Sequence, residues 1–215
     1  MSSNSRRAFI KSCALGLLGA AGSSKLARAN EPDVCTNTEL LKVLQILHRA
    51  CTPIYCNFSQ LRELNDARYR DALLASFSNR DLNAVHIFFP RNRSEITDCF
   101  DWASGKQSQL NTFKYLNNAS QATIYLIGRA SVTGSVDYNR KLSAARMQSV
   151  HRYLKDDLRI PCPNFRGAYM GKEILQFTLS DASYLKLPPQ EFRDDTLVLN
   201  QAVHVFAIPC GDLGL

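Results

Sequence analysis

One stretch of this 215-residue chain places a charge where a protein interior should lie. On a helical wheel at ~100° per residue, residues 137–155 put Leu142, Ala145, Val150, Tyr153 and Leu154 on one arc. Lys141, Gln148, Arg152 and Lys155 fall opposite. Arg146 sits in the middle of the apolar arc, and Asn139 is almost aligned with it two turns earlier. A guanidinium aimed at the body of a protein keeps its charge, so it must meet an anion or several acceptors. Both residues lie toward the N-terminal half of the helix, where backbone N–H groups also favour anions. With the Gly128–Ser135 turn that precedes them, they would make a carboxylate-binding site. An internal salt bridge, or an arginine that snorkels at the helix margin, would give the same wheel.

Cysteine and histidine are the other residues with chemistry to offer. Beyond residue 29 stand Cys35, Cys51, Cys56, Cys99, Cys162 and Cys210. Six cysteines allow 15 pairings, and in an oxidising compartment they suggest up to three disulfides. A straight helix over 37–50 would hold Cys35 and Cys51 roughly 20 Å apart, against the ~7 Å that a disulfide tolerates between Cα atoms. Cys51-Thr-Pro-Ile-Tyr-Cys56 closes a short loop and is the expected local pair. His48 beside these two cysteines gives three metal ligands without a fourth, a weaker reading than a disulfide. His86, His151 and His204 are scattered. No H-E-x-x-H, C-x-x-C, G-x-S-x-G or glycine-rich phosphate loop is present, so no enzyme class is indicated and no metal or cofactor is expected.

The elements that position these residues form two groups. Residues 30–83 read as a helical extension with disulfides: a Thr36-x-x-Glu39 capping box opens a helix rich in leucine. A second helix is expected over Ser59–Phe77, beyond Pro53. About fifty residues make a marginal core alone, so this hairpin is expected to dock on something. Residues 84–215 alternate strand and helix: strands at Ala84–Phe89, Ala122–Ile127, Phe165–Tyr169 and Ala202–Ile208, and a long helix over Asp137–Leu158. A helical region is expected across Ser94–Leu116, with Gly105 as its one breaking point. The order βαβαββ predicts an α/β (α+β) sandwich around a mixed four-stranded sheet. The 172–195 insertion has no assigned role.

Net charge is misleading until it is located. The chain carries 26 Lys and Arg against 19 Asp and Glu, and five of the basic residues lie within 1–29, which has no acidic one. That leaves 21 against 19, a near-neutral body with no case for nucleic acid. Ser5-Arg-Arg-Ala-Phe-Ile-Lys11 resembles a twin-arginine (Tat) signal, followed by a short apolar stretch and Ala27-Arg-Ala29. The apolar stretch is too short and glycine-rich for a membrane span. Export to the periplasm, cleavage after Ala29 and a soluble mature chain without a transmembrane span are therefore expected.

The 124–154 stretch resembles the OmpA C-terminal-like, peptidoglycan-associating family. That family typically reads I-x-G-[HY]-T-D-x-x-G-x-x-x-Y-N-x-x-L-S-x-x-R-A-x-x-V-x-x-Y-L. Gly128, Gly134, Tyr138, Asn139, Leu142, Ser143, Arg146, Val150, Tyr153 and Leu154 match it without a gap. The resemblance extends more loosely across 84–210, not into 30–80. It implies a non-enzymatic envelope protein that binds the diaminopimelate residue of the peptidoglycan stem peptide, with Arg146 gripping a carboxylate and Asn139, Ser131 and Leu142 beside it. Bidentate geometry suits that grip. Ser131 stands where the family has the aspartate that meets the ligand's ammonium group, and Arg129 precedes it.

Loss of that close charge partner is worth on the order of a hundredfold in affinity. Two other readings therefore stand beside peptidoglycan binding. One is the same fold repurposed as a periplasmic protein-interaction module. The other is a Tat-exported cofactor protein or enzyme, since such cargo often carries a cofactor. N-terminal sequencing of the exported protein is expected to begin at Asn30; a first residue upstream of Lys25 would show that the leader is retained.

Overall fold

The computed structural model describes residues 37–52, 55–78, 84–102, 105–116, 122–160, 164–178, 181 and 198–208. The leader, Cys35, Cys162 and Cys210 lie outside these residues, as does most of the 172–195 insertion. No helix among the described residues is long and apolar enough to cross a membrane.

The chain opens with α1, Thr38–Ala50. Its cap is Asn37, whose side chain accepts from the Leu40 N–H at 3.0 Å. Thr36, the expected capping residue, lies outside the described residues, and Glu39 pairs with Lys42 instead. The expected single helix over Ser59–Phe77 is two helices, α2 Phe58–Leu61 and α3 Ala67–Ser78, separated by a 3-10 turn Arg62–Asn65. The break has a tertiary cause. The Asn65 amide bonds the Glu173 carbonyl and accepts from the Leu175 N–H, while Asp66 turns extended and accepts from the Arg68 N–H to restart the helix.

Four strands form the mixed sheet: β1 Val85–Phe88, β4 Thr123–Gly128, β5 Asn164–Tyr169 and β6 Ala202–Ile208, in the order β1-β6-β4-β5. β6 runs antiparallel to both neighbours, and β4 and β5 are parallel, as their connection through α4, Val136–Arg152, requires. The four expected strands and the long helix are thus present, the helix ending in a π turn, Tyr153–Asp157. The expected helix across Ser94–Leu116 is not. In its place stand a hairpin, β2 Cys99–Trp102 with β3 Gly105–Ser108, and a 3-10 turn Leu110–Leu116. Cys-Phe-Asp-Trp is β-prone and is followed closely by Gly105. Gln109 completes the arrangement by pairing with β1: its amide accepts from the Phe88 N–H at 2.9 Å and donates to the Phe88 carbonyl at 3.1 Å.

Alternate residues of the sheet serve two cores. Ile124, Leu126, Val203, Val205 and Ala207 face α4 with Met147, Val150 and Leu154. Tyr125, Ile127, Ala202, Phe206 and Ile208 face the N-terminal helices, where Leu40, Val43, Leu44 and Leu47 pack against them. The helical extension therefore docks on the sheet's second face. α4 approaches the first face closely because Gly128 and Gly167 leave room for it. A Cβ at Gly128 would collide with the Ser143 backbone carbonyl and lie 3.0 Å from Met147 Cβ, and one at Gly167 would lie 2.6 Å from Met147 Sδ. Gly128→Ala is expected to destabilise the protein by about 2–3 kcal/mol in urea unfolding. Gly167→Ala should cost less, because the end of Met147 can swing away.

Candidate functional site

The described site is the turn between β4 and α4 and the two buried arginines behind it. The turn exists because Gly134 adopts φ +91°, a left-handed conformation that glycine takes without strain. Ser135 then caps α4 by accepting from the Tyr138 N–H at 3.2 Å. Asn139 donates from Nδ2 to the Thr133 carbonyl at 2.7 Å and the Ser135 carbonyl at 3.0 Å, so its buried amide ties the turn to the helix. Lys172 adds a bond to the Gly134 carbonyl at 2.7 Å. Ser131 is almost buried, its hydroxyl 3.2 Å from that of Thr133. Leu142 is half-buried on α4 between Asn139 and Arg146. The backbone N–H groups of residues 131–134 are not engaged by any described residue.

Arg146 is 1% exposed, so it does not snorkel. It makes no salt bridge to a described residue either. Its Nε donates to the Arg93 carbonyl at 2.8 Å, Nη1 to the Arg129 carbonyl at 3.0 Å and Nη2 to the Pro90 carbonyl at 3.2 Å. Three neutral acceptors satisfy its hydrogen bonds without cancelling its charge. Burial pushes its pKa down to about 10, still far above neutrality, and no described residue pairs its charge. Phe89 lies beneath it, the ring centroid 5.4 Å away.

Arg129, which the motif comparison places two residues before Ser131, is a second buried arginine; what the motif does not give is its burial. It continues the β4 alternation of Tyr125 and Ile127, and that pattern was the available signal. It is fully buried on the face of the N-terminal helices, 4.0 Å above the Phe177 ring, with Nη2 donating to Asn200 Oδ1 at 2.9 Å. Its Nε and Nη1 have no hydrogen-bond partner among the described residues. Burial lowers its pKa to about 9, and Asp181 opposes part of that shift.

The other candidates are structural. Cys51 and Cys56 form the expected disulfide, which leaves His48 without thiolate neighbours, and the described residues hold no metal-binding cluster. The side chain of Cys99 lies outside what is described. His86 and His204, paired across β1 and β6, bring their Nδ1 atoms to 3.0 Å. The Leu199 carbonyl can only accept, which assigns a proton to His204 Nε2 at 3.2 Å and leaves His204 Nδ1 to accept from His86. His151 meets Phe165 edge-on, ring centroids 4.9 Å apart.

No family model matches the chain, and no curated protein matches it. Solved structures do share part of its shape. The peptidoglycan-associated lipoprotein from Burkholderia pseudomallei is 14% identical, with a TM-score of 0.42 over 62% of this chain and 99% of that one. The OmpA-like domain of FopA1 from Francisella tularensis is 20% identical, with a TM-score of 0.36 over 57% and 70% of the two chains. Likenesses this distant carry nothing about what the chain binds.

Two outcomes follow from the buried polar groups. Arg146→Met would strand the Arg93 and Arg129 carbonyls, while the Pro90 carbonyl keeps the Arg93 N–H, and is expected to cost about 3 kcal/mol in urea unfolding. His204 is held well below 6.5 by burial first, then by His86 and Arg129. The unfolded chain therefore binds a proton that the folded one refuses, so stability falls as pH drops below 6.5, by up to about 1.4 kcal/mol per pH unit. Urea midpoints measured across this range should show that slope, and His204→Asn should flatten it.

Proposed function

We propose that the chain is a non-enzymatic binding module of the periplasm and cell envelope whose β4–α4 turn takes a carboxylate-bearing peptide. The observation that carries this reading is Arg146, a buried cation whose described partners are neutral carbonyls, placed behind a turn whose N–H groups no described residue engages. Consecutive N–H groups with positive charge behind them favour an anion. Arg146 acts mainly through its field and by holding the turn, because its side chain is already enclosed. Asn139 keeps the turn in shape, and Ser131 with the half-buried Leu142 lines its approach.

The ligand implied by the 124–154 motif is the diaminopimelate-type stem peptide of peptidoglycan. Ser131 favours a second reading, because a hydroxyl can bond an ammonium group without neutralising it. A ligand with a carboxylate and no nearby ammonium, such as the C-terminus of an envelope protein, asks for no acidic residue at that position. The exported chain from Asn30 onward should be sedimented with insoluble peptidoglycan sacculi. Co-sedimentation is expected, with Arg146→Gln reducing it and Ser131→Asp strengthening it by up to about a hundredfold. Circular dichroism on each variant separates lost binding from lost folding. A natural chain that stays in the supernatant while Ser131→Asp sediments would select the protein-ligand reading; no sedimentation of either would overturn peptidoglycan association.

A further inference from the structure

A groove of about 470 Å³ runs between the segment after the disulfide and the outer face of α4. It lies on the opposite side of that helix from the buried Arg146 and shares no lining residue with the turn. Its volume falls in the range of ligand sites, roughly 300–1,000 Å³. Tyr55, Phe58, Arg62, Asp137, Arg140 and Lys141 line it. We propose that this groove binds an extended acidic peptide segment carrying an aromatic or apolar side chain.

Charge is the first argument. Lys141 pairs with Asp137 at 2.8 Å, and the two cancel. Glu173 serves two arginines. It accepts from Arg140 Nε at 2.9 Å and Nη2 at 2.6 Å, and Arg62 reaches its other oxygen only at 4.0 Å. Among the described residues three cations thus face two carboxylates, and the surplus charge rests on Arg62, whose side chain is 68% exposed. A ligand carboxylate would complete that set, most favourably as a second partner for the guanidinium fork.

Pre-organisation is the second argument. Tyr55 is 60% exposed, the most exposed large apolar side chain described. Such a ring at the mouth of a polar groove is a stacking surface in search of a partner. The backbone that carries it is held in place. The Cys51–Cys56 disulfide closes its loop, Thr52 N–H donates to the Tyr55 carbonyl at 2.7 Å, and Tyr55 N–H donates to the Thr52 hydroxyl at 3.2 Å. Cys56 N–H donates to the Tyr169 hydroxyl at 3.2 Å, anchoring the loop to β5. Arg140 is clamped between Glu173 and the Phe58 ring, 3.9 Å from its centroid. The loop backbone and Arg140 are thus already ordered, and binding has only the Tyr55 ring and the Arg62 side chain to fix. A surplus charge beside an exposed ring suits a short acidic segment rather than the phosphate ladder of a nucleic acid.

The test is fluorescence anisotropy of a labelled octapeptide of alternating Glu and Tyr, titrated with the full chain, beside its Lys-and-Tyr counterpart. Saturable binding of the acidic peptide is expected, weakening with added salt. Arg62→Glu and Tyr55→Ala, both surface changes, should each weaken it by about tenfold or more. Arg146→Gln, once shown to be folded, should leave it unchanged, so failure of the turn reading and failure of this one are distinguishable. Equal binding of the lysine peptide, indifference to both substitutions, or no saturation would overturn the assignment. Displacement of the acidic peptide by a neutral oligosaccharide would also overturn it and make the groove a glycan site.

Discussion

The guanidinium of Arg146 ties its own helix to two other parts of the chain that are distant in sequence. One donor reaches the carbonyl of Pro90, just past β1; one reaches Arg93, further along the same turn; one reaches Arg129, just past β4. The side chain itself comes from the middle of α4. These bonds bring two strand exits and a helix to one point, and the β4–α4 turn is shaped around that point. The constraint is electrostatic as much as geometric. A cation removed from water needs acceptors, and the carbonyls at strand ends are groups that have left the ladder and still want donors. The arginine supplies donors to the Arg93 and Arg129 carbonyls and a second one to Pro90, and no described residue cancels its charge.

The second constraint is that the sheet has two apolar faces. A central strand such as β6 is buried along its whole length, so both sides must be covered. α4 covers one side, and its closeness depends on two glycines in adjacent strands. The N-terminal helices cover the other, with leucines that would otherwise be exposed. A helical pair too small for its own core is thereby held by a sheet that needs a cover. The same docking creates the groove beside Tyr55, since one wall comes from the extension and the other from α4. It also encloses Arg129 and His204, which continue the alternation of β4 and β6 toward the extension.

The motif residues were legible for a physical reason. Arg146 is conspicuous on a wheel because a charge on an apolar arc breaks a period, and Asn139 shares that arc. Their partners were not legible. Nothing in the order of residues tells a carboxylate from a backbone carbonyl fifty positions away, so salt bridge, exposed ligand site and carbonyl cage looked alike. Residues 94–116 misled for a related reason. Their local pattern permits a helix, and what decides against it includes Gln109 spending its amide on the edge of β1. The continuous helix expected after Ser59 fails likewise, because Asn65 bonds Glu173 and Leu175 rather than its own turn.

The sequence by itself determined the four strands, the long helix, the local disulfide and the turn with Asn139 and Arg146 behind it. Each of these rests on short-range periodicity, loop closure or a contiguous motif, and those are properties of neighbours along the chain. Only the tertiary structure decided which face the helical pair covers, which acceptors enclose Arg146, and that Arg129 is buried with two donors that no described residue accepts. It alone placed Tyr55, Arg62 and α4 around one groove. These depend on contacts between residues tens of positions apart, where the free energy is set by burial and by the partner a buried polar group finds.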